Sequence, residues 1–300
     1  MRNALSALPW KGRFTVPLPD EGYLQLASPG SHRLLSRLYW EGPRSYEPSS
    51  VKTWWCLSQD ARVIADIGAY VGYYALLASK ASPTATVHAF EPLIEAARLI
   101  RAFAEINGLG RRIRLHEVAL GARAGQADFY LPAAPPNPLP TVGSTTKPSA
   151  KSGSSPETIF VRRTVKMTTL DSMIASKGRH LELIKIDVEG SEFDVLLGAQ
   201  QTIDRSHPDI IIEVIIDGGE TGDHLVWLRE HGYRIFDMTP EGPVPLTERS
   251  LTHMKNARRS AEHRYGEVLA STKSDLEIAT LSERIASLGW PGEPPGSFSR

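Results

Sequence analysis

The segment 63–79, V-I-A-D-I-G-A-Y-V-G-Y-Y-A-L-L-A-S, holds the first residues that could do chemistry. A short apolar run ends in Asp66, and Gly68 and Gly72 follow in the spacing D-x-G-x-x-x-G. This pattern predicts a buried strand, a glycine turn and a helix. Glycine lets a ligand approach the backbone closely, and a helix N-terminus offers unpaired N–H groups. An ordinary strand–helix turn has the same pattern, so the motif alone does not establish a binding site.

A second acid follows the next predicted strand, residues 85–90 (A-T-V-H-A-F). Glu91 lies about twenty residues beyond the glycine turn, where nucleotide-binding α/β units place an acid that accepts hydrogen bonds from ribose hydroxyls. Pro92 suits the first turn of the helix predicted over residues 93–107.

Three further acids follow two later strands. Asp187 ends the predicted strand 183–186, and Glu213 lies near the end of the predicted strand 209–214. Glu189 falls in the turn between Asp187 and a helix that Ser191 could cap. A helix dipole by itself favours an acid before a helix, so a structural and a catalytic role explain Glu189 equally well.

Strands alternate with helices along most of the chain, which predicts a doubly wound, mainly parallel α/β sheet. Ligands of such sheets bind beyond the carboxyl ends of the strands. Asp66, Glu91, Asp187 and Glu213 all stand at such ends. Four strands would therefore present acids on one rim, which favours a cofactor site over scattered surface carboxylates.

Composition excludes several classes of partner. The 300 residues contain 34 basic and 34 acidic side chains, so the bulk charge gives no reason to expect nucleic acid. Cys56 is the single cysteine, and no apolar run approaches the ~18 residues of a membrane span. The first residues do not resemble a signal peptide, and we expect a cytoplasmic protein.

The chain divides into three predicted parts. Residues 1–58 form an α+β accessory region, 59–290 the main domain, and 291–300 a disordered tail. The main domain is interrupted at 132–157 by a Pro/Ser-rich stretch, expected to be a mobile lid or a disordered insertion. We expect the aromatic side chains of the accessory region to be core rather than a binding platform: Tyr39, Trp40, Trp54 and Trp55.

Five blocks occur in one order and carry a family resemblance: D-I-G-A-Y-V-G-Y-Y, A-F-E-P, E-V-A-L, T-T-L-D and I-K-I-D-V-E-G-S-E. Between about residues 61 and 237 the chain resembles the FkbM family of S-adenosylmethionine-dependent methyltransferases. The resemblance implies a class I methyltransferase (Rossmann-like) fold of about seven strands, the last antiparallel. It also implies methyl transfer, commonly to a hydroxyl of a sugar, glycolipid or natural product, with a small-molecule or glycan acceptor.

The resemblance also implies roles for individual residues. Asp66, Gly68 and Gly72 would surround the methionine part of S-adenosyl-L-methionine, Glu91 would bind its ribose, and Asp187 would lie beside the reacting methyl group. Val118 and Ala119 would border the adenine. The expected cofactor contacts are Asp66, Gly68, Ala69, Tyr70, Gly72, Glu91, Pro92, Val118, Ala119 and Asp187. Tyr70 stands where many relatives carry Asn.

An alcohol acceptor must lose its proton, and the candidate bases are Asp187, Glu189 and Glu213. Paired carboxylates at neighbouring strand ends could instead hold a divalent ion. We favour the metal-free version, because two carboxylates are visible there and no His/Cys cluster completes a transition-metal site.

Two other classes of protein stay open at this point. A nicotinamide-dependent oxidoreductase also uses a glycine turn and a ribose acid, but its G-x-G-x-x-G pattern would need glycine at Tyr70. A non-catalytic binding module on a methyltransferase fold is the third possibility, which the intact Asp66, Glu91 and Asp187 argue against.

Overall fold

A computed structural model of the protein describes residues 10–30, 32–132, 160–174, 180–215, 223–247 and 265–290. The N-terminal region begins with an antiparallel hairpin of two strands and continues with two helices joined by a 3₁₀ turn at Pro43–Ser45. These elements are β1 (Trp10–Pro17), β2 (Tyr23–Gly30), α1 (Arg33–Glu41) and α2 (Pro48–Asp60).

Strands and helices then alternate, as the sequence predicts. The elements of the first half are β3 (Val63–Ile67), α3 (Tyr73–Ala81), β4 (Thr86–Phe90), α4 (Ile94–Ile106), β5 (Ile113–His116), β6 (Ala119–Leu120), β7 (Gly125–Pro132), β8 (Phe160–Thr168) and α5 (Leu170–Met173). The elements of the second half are β9 (Leu183–Ile186), α6 (Glu192–Leu197), α7 (Gln200–Ser206), β10 (Asp209–Ile215), α8 (Asp223–Glu230), β11 (Arg234–Thr239), β12 (Gly242–Pro245), β13 (Tyr265–Ser271) and α9 (Asp275–Ser287).

One eight-stranded sheet has the order β12-β11-β13-β10-β9-β3-β4-β5. The neighbours from β5 to β10 pair in parallel, whereas β13 inserts antiparallel between β10 and β11. This confirms the expected Rossmann-like fold with an antiparallel last strand, and β12 adds an eighth strand at the edge. Strands β6, β8 and β7 form a separate three-stranded sheet.

The large sheet is covered on both faces, so its central strands bury alternate residues on opposite sides. On one side Ile64 and Ile211 pack with α2, α3, α4 and α9. On the other side Ile186 and Ile212 pack with α5, α6, α7 and α8. Burial on both faces explains why these strands read as continuous apolar runs rather than as alternating patterns.

The N-terminal helix α2 belongs to the same core as the sheet. Trp54 is fully buried, and its indole N–H donates to the carbonyl oxygen of Tyr74 at 3.0 Å. Helix α9 closes over α2 from the C-terminal end, where Arg284 donates to the carbonyl oxygen of Cys56 at 2.7 Å. Lys52 likewise donates to the carbonyl oxygen of Leu288 at 2.6 Å. Helices α2 and α9 thus pack together on one face of the sheet.

Some local expectations were wrong. Tyr39 and Trp40 are each 37% exposed, so only Trp54 and Trp55 of the four accessory aromatics are core. Ser191 occupies the position before α6 but makes no capping side-chain hydrogen bond. Helix α4 begins at Ile94, one residue after its predicted start at residue 93, so Pro92 lies before the helix rather than in its first turn.

Other expectations fall on residues outside the described part of the chain. Ser31 as a helix cap is one of these, and His32 is the N-cap of α1. Pro132 belongs to β7, and the rest of the predicted loop 132–157 lies outside the described residues, as does the tail 291–300. None of the described helices is long and apolar enough to cross a membrane.

Candidate active site

The glycine turn follows β3 and takes the backbone into left-handed conformations. Gly68, Tyr70 and Gly72 have φ values of 79°, 52° and 81°. The N–H groups of Gly68 and Ala69 both donate to the carbonyl oxygen of Phe90 at 3.0 Å, which ties the turn to the end of β4. A Cβ on Gly68 would lie 1.8 Å from the Asp187 carbonyl oxygen, so glycine is required there for close approach of two strand ends.

Glu91 fastens the same turn from β4. Its side chain accepts hydrogen bonds from the backbone N–H groups of Tyr70 at 2.9 Å and Leu93 at 2.8 Å. Burial raises the pKa of Glu91 to about 8, although both backbone hydrogen bonds act to lower it. Only 5% of Glu91 is exposed, so both hydrogen bonds are shielded from solvent.

A cavity of about 280 Å³ opens at the carboxyl ends of β3, β4 and β9. It is lined by nine of the ten residues expected to contact a cofactor: Asp66, Gly68, Ala69, Tyr70, Glu91, Pro92, Val118, Ala119 and Asp187. Gly72 does not line it, because it faces Ile100 behind the turn. Glu189 lines the cavity, whereas Glu213 does not.

The N-terminal region supplies cavity residues that sequence reasoning missed. Arg33, Leu34 and Arg37 project from α1, and Tyr46 follows the 3₁₀ turn. The ring of His32 stacks on Tyr70, with centroids 5.1 Å apart, and joins this region to the glycine turn. Nothing in the residue types around them distinguished these positions from an ordinary accessory helix.

Asp66 is the acid at the floor of the cavity. Only 2% of it is exposed, and burial raises the pKa of its carboxyl group to about 7. The N–H of Ala75, in the first turn of α3, donates to this carboxylate. Oxygen Oδ2 has no hydrogen-bond partner among the described residues and is therefore available to a polar ligand.

Lys185 is another residue of the site that sequence reasoning missed. Its ammonium group lies 2.7 Å from Asp187 Oδ2 and 2.8 Å from Glu267 Oε1, and the side chain is 2% exposed. Burial would lower the pKa of Lys185, but the surrounding carboxylates outweigh it and hold the pKa well above its ordinary value. The lysine was visible within I-K-I-D, but its position in a strand buried on both faces gave no indication of this pairing.

Glu47 brings a further acid from the N-terminal region to this network. It accepts a hydrogen bond from the hydroxyl of Tyr74 at 2.7 Å, and the Tyr74 ring centroid lies 4.4 Å from Lys185 Nζ. Burial, reinforced by Glu267, raises the pKa of Glu47 above its ordinary value. Elements far apart in sequence therefore converge on one buried ammonium group.

Three carboxylates meet beside Lys185. Strands β9 and β10 are parallel neighbours, as predicted, which brings Asp187 close to Glu213. Glu189, in a left-handed turn with φ 56°, joins them, and one oxygen of each side chain lies within 4.8 Å of the others. The expectation of only two carboxylates at this point was wrong, because the turn folds Glu189 back towards β10.

Proximity and burial perturb this cluster. Burial, followed by the charge of Asp187, raises the pKa of Glu189 to about 8. The same two causes hold the pKa of Glu213 well above its ordinary value. Glu192 is occupied elsewhere, since its carboxylate accepts from the backbone N–H groups of Val188 and Gly190 and fixes the turn.

This arrangement can be compared with known proteins. Residues 66–235 match the family model described as the methyltransferase FkbM domain, which is more than half of the chain. The chain belongs to the FkbM methyltransferase family. It is therefore a methyltransferase of the class I, Rossmann-like fold, as the resemblance of its motifs implied.

Two relatives show the extent of the similarity. The 31-O-demethyl-FK506 methyltransferase FkbM of Streptomyces tacrolimicus is 29% identical over 222 residues, which is 66% of this chain and 81% of that protein. Methyltransferase 1 of Beauveria bassiana is 26% identical over 198 residues, covering 62% and 78%. Among solved structures, methyltransferase FkbM from Methylobacillus flagellatus has 14% identity and a TM-score of 0.44. That match covers 70% of this chain but only 44% of the solved chain.

Proposed function

We propose that this FkbM methyltransferase uses S-adenosyl-L-methionine to methylate a hydroxyl oxygen of a sugar, glycolipid or natural product. The observation that carries the proposal is one cavity lined both by Glu91 at the glycine turn and by Asp187 at the end of β9. The acid expected to bind the ribose and the carboxylate expected beside the reacting methyl group thus line the same cavity.

The residues present fit the cofactor. Asp66 Oδ2, buried and without a hydrogen-bond partner among the described residues, suits the ammonium group of the methionine part. Glu91 would accept hydrogen bonds from the ribose hydroxyls, while Val118 and Ala119 would border the adenine. When bound, the cofactor supplies an activated sulfonium methyl group. The protein therefore has to position the acceptor and exclude water rather than activate the donor.

An oxygen acceptor also requires a group that takes its proton. Glu189 lines the cavity, and its pKa of about 8 lies near neutral pH, where a general base works best. Asp187 is held in place by Lys185 and would orient the acceptor hydroxyl. The relative FkbM carries O-demethyl in its name, which supports oxygen rather than nitrogen or carbon as the acceptor atom.

The cofactor assignment is tested by calorimetry with S-adenosylhomocysteine. Glu91→Ala should weaken binding by about 1–3 kcal/mol, because buried ribose hydroxyls would lose their acceptor. Glu105→Ala, which removes an exposed acid of α4, the helix that follows Glu91, is the matched control. Equal affinity of Glu91→Ala and the control would contradict the assignment, and saturable binding of NAD⁺ instead would favour the oxidoreductase alternative.

Methyl transfer itself is tested with a cofactor that carries a labelled methyl group, incubated with extracts rich in hydroxylated metabolites. We expect label in an ether product with the wild type and none with Asp187→Asn, while the variant still binds S-adenosylhomocysteine. Cofactor binding without any labelled product would favour the non-catalytic binding module. Full activity in Asp187→Asn would exclude the role given to Asp187.

A further inference from the structure

The cluster of Asp187, Glu189 and Glu213 has the geometry of a cation site. One oxygen from each side chain lies within 4.8 Å of the others. Two oxygens bound to one ion are separated by at most twice the ion–oxygen distance, which is about 4.2 Å for Mg²⁺ and about 5 Å for Ca²⁺. A divalent ion therefore fits between these oxygens with small side-chain adjustments.

Glu213 gives an independent indication of a ligand. It is 8% exposed, and its Oε2 makes no hydrogen bond to any described residue. A buried carboxylate oxygen without a donor is unfavourable unless a ligand satisfies it. Asp187 and Glu189 line the cavity whereas the buried Glu213 does not, so the cluster joins the cavity wall to the interior.

The protein's own cation does not neutralise this cluster. Lys185 pairs with both Asp187 and Glu267, so its single positive charge is divided between two carboxylates. The coulombic repulsion that acts on Glu213 comes from Asp187, Glu189 and Glu192, with Lys185 acting in the opposite direction. A second positive charge would relieve the remaining repulsion.

We propose that Asp187, Glu189 and Glu213 bind a divalent cation of the Mg²⁺, Mn²⁺ or Ca²⁺ class, whose remaining coordination positions face the cavity. All three ligands are carboxylate oxygens, which these hard cations prefer. This reverses the metal-free preference drawn from the sequence, since that preference assumed two carboxylates. The ion's role, which rests on the proposed function, is to hold and acidify an acceptor hydroxyl; Glu189 is then a ligand of the ion rather than the general base.

Cation binding is measured on the protein alone, with Mn²⁺ as the probe. The electron paramagnetic resonance signal of free Mn²⁺ should decrease as the wild-type protein binds one ion per chain. Mg²⁺ or Ca²⁺ should displace the bound Mn²⁺ and restore the signal. Glu189→Gln and Glu213→Gln should each weaken binding at least about tenfold, because each removes a ligand. Asp194→Asn, which changes an exposed acid of the neighbouring helix α6, should bind Mn²⁺ as the wild type does.

Retained S-adenosylhomocysteine binding and an unchanged cooperative unfolding transition show that the glutamine variants are folded. Glu189→Gln is the decisive variant if Glu213→Gln does not fold. No saturable binding of Mn²⁺ by the wild type at millimolar concentration, or unchanged binding by Glu189→Gln, would overturn the proposal. Mn²⁺ binding without any O-methylation would retain the site and reject only its role in the proposed function.

Discussion

Replacing Gly68 by alanine tests how closely the glycine turn approaches Asp187 at the end of β9. The new Cβ would meet the Asp187 carbonyl oxygen at 1.8 Å and its carbonyl carbon at 2.8 Å. Ordinary contact needs more than 3 Å, so one of the two strand ends has to move by about 1.4 Å. The backbone of Asp187 cannot yield as a flexible side chain would, because its N–H donates to the carbonyl oxygen of Ile67 at 3.0 Å.

The expected loss has two parts. A left-handed φ of 79° costs a non-glycine residue roughly 1–2 kcal/mol. Disturbing buried hydrogen bonds at the ends of β3 and β9 adds roughly 1–3 kcal/mol. Gly68→Ala should therefore lower the free energy of unfolding by about 2–5 kcal/mol.

Gly72→Ala is the matched control, because its φ of 81° gives the same backbone strain. Its Cβ would meet only the Ile100 side chain, at 3.1 Å, which can shift by a few tenths of an ångström. We expect a loss of about 1–2 kcal/mol there. Urea denaturation of both variants, with S-adenosylhomocysteine affinity measured in parallel, checks the difference. Equal losses would refute the argument that Gly68 is required by its contact with Asp187 rather than by its conformation.

Two further predictions concern buried charges. Burial raises the pKa of Asp66 to about 7 and of Glu91 to about 8, so the folded protein holds protons that the unfolded chain releases. The associated stability is present below the ordinary carboxyl pKa and is lost as pH rises through about 7 to 8, at up to about 1.4 kcal/mol per pH unit for each group. The denaturation midpoint should fall as the pH is raised from about 5 to about 9, and it should fall less steeply in Glu91→Gln. A midpoint that rises with pH would contradict this. Lys185→Met should lower the free energy of unfolding by about 3–5 kcal/mol, because Asp187 and the buried side chain of Glu267 would lose the cation that they share. Urea denaturation measures this loss, and a variant as stable as the wild type would show that the ion pairs contribute no net stability.

The sequence predicted the sheet well because two features, an apolar run and an acid at its end, identify several of its strands. Each parallel strand is a short apolar run, and Asp66, Glu91 and Asp187 mark where such runs end at the rim. The short strand β12 and helix α7 were not predicted. Both lie in segments where propensity is weak and packing against the sheet decides the structure.

The site was predicted where it depends on one local motif and missed where distant segments meet. Spacing alone could not show that Gly68 faces Asp187 while Gly72 faces Ile100. Lys185 lies in a strand buried on both faces, so the sequence has no alternation of apolar and polar residues that would show which face of the sheet its side chain is on. Glu47 comes from a segment far from the motifs, and its partner Tyr74 became evident only in three dimensions.

The place of β13 in the sheet has a consequence for how the chain folds. This strand, close to the end of the described chain, inserts between β10 and β11, which are made earlier and do not pair with each other. During synthesis, one edge of β10 and one edge of β11 therefore stay unpaired until residues 265–271 have been made. Such late, non-local pairing slows folding and leaves strand edges open to aggregation. We therefore expect that a chain cut after residue 235, where the family match ends, does not fold by itself and accumulates as aggregate.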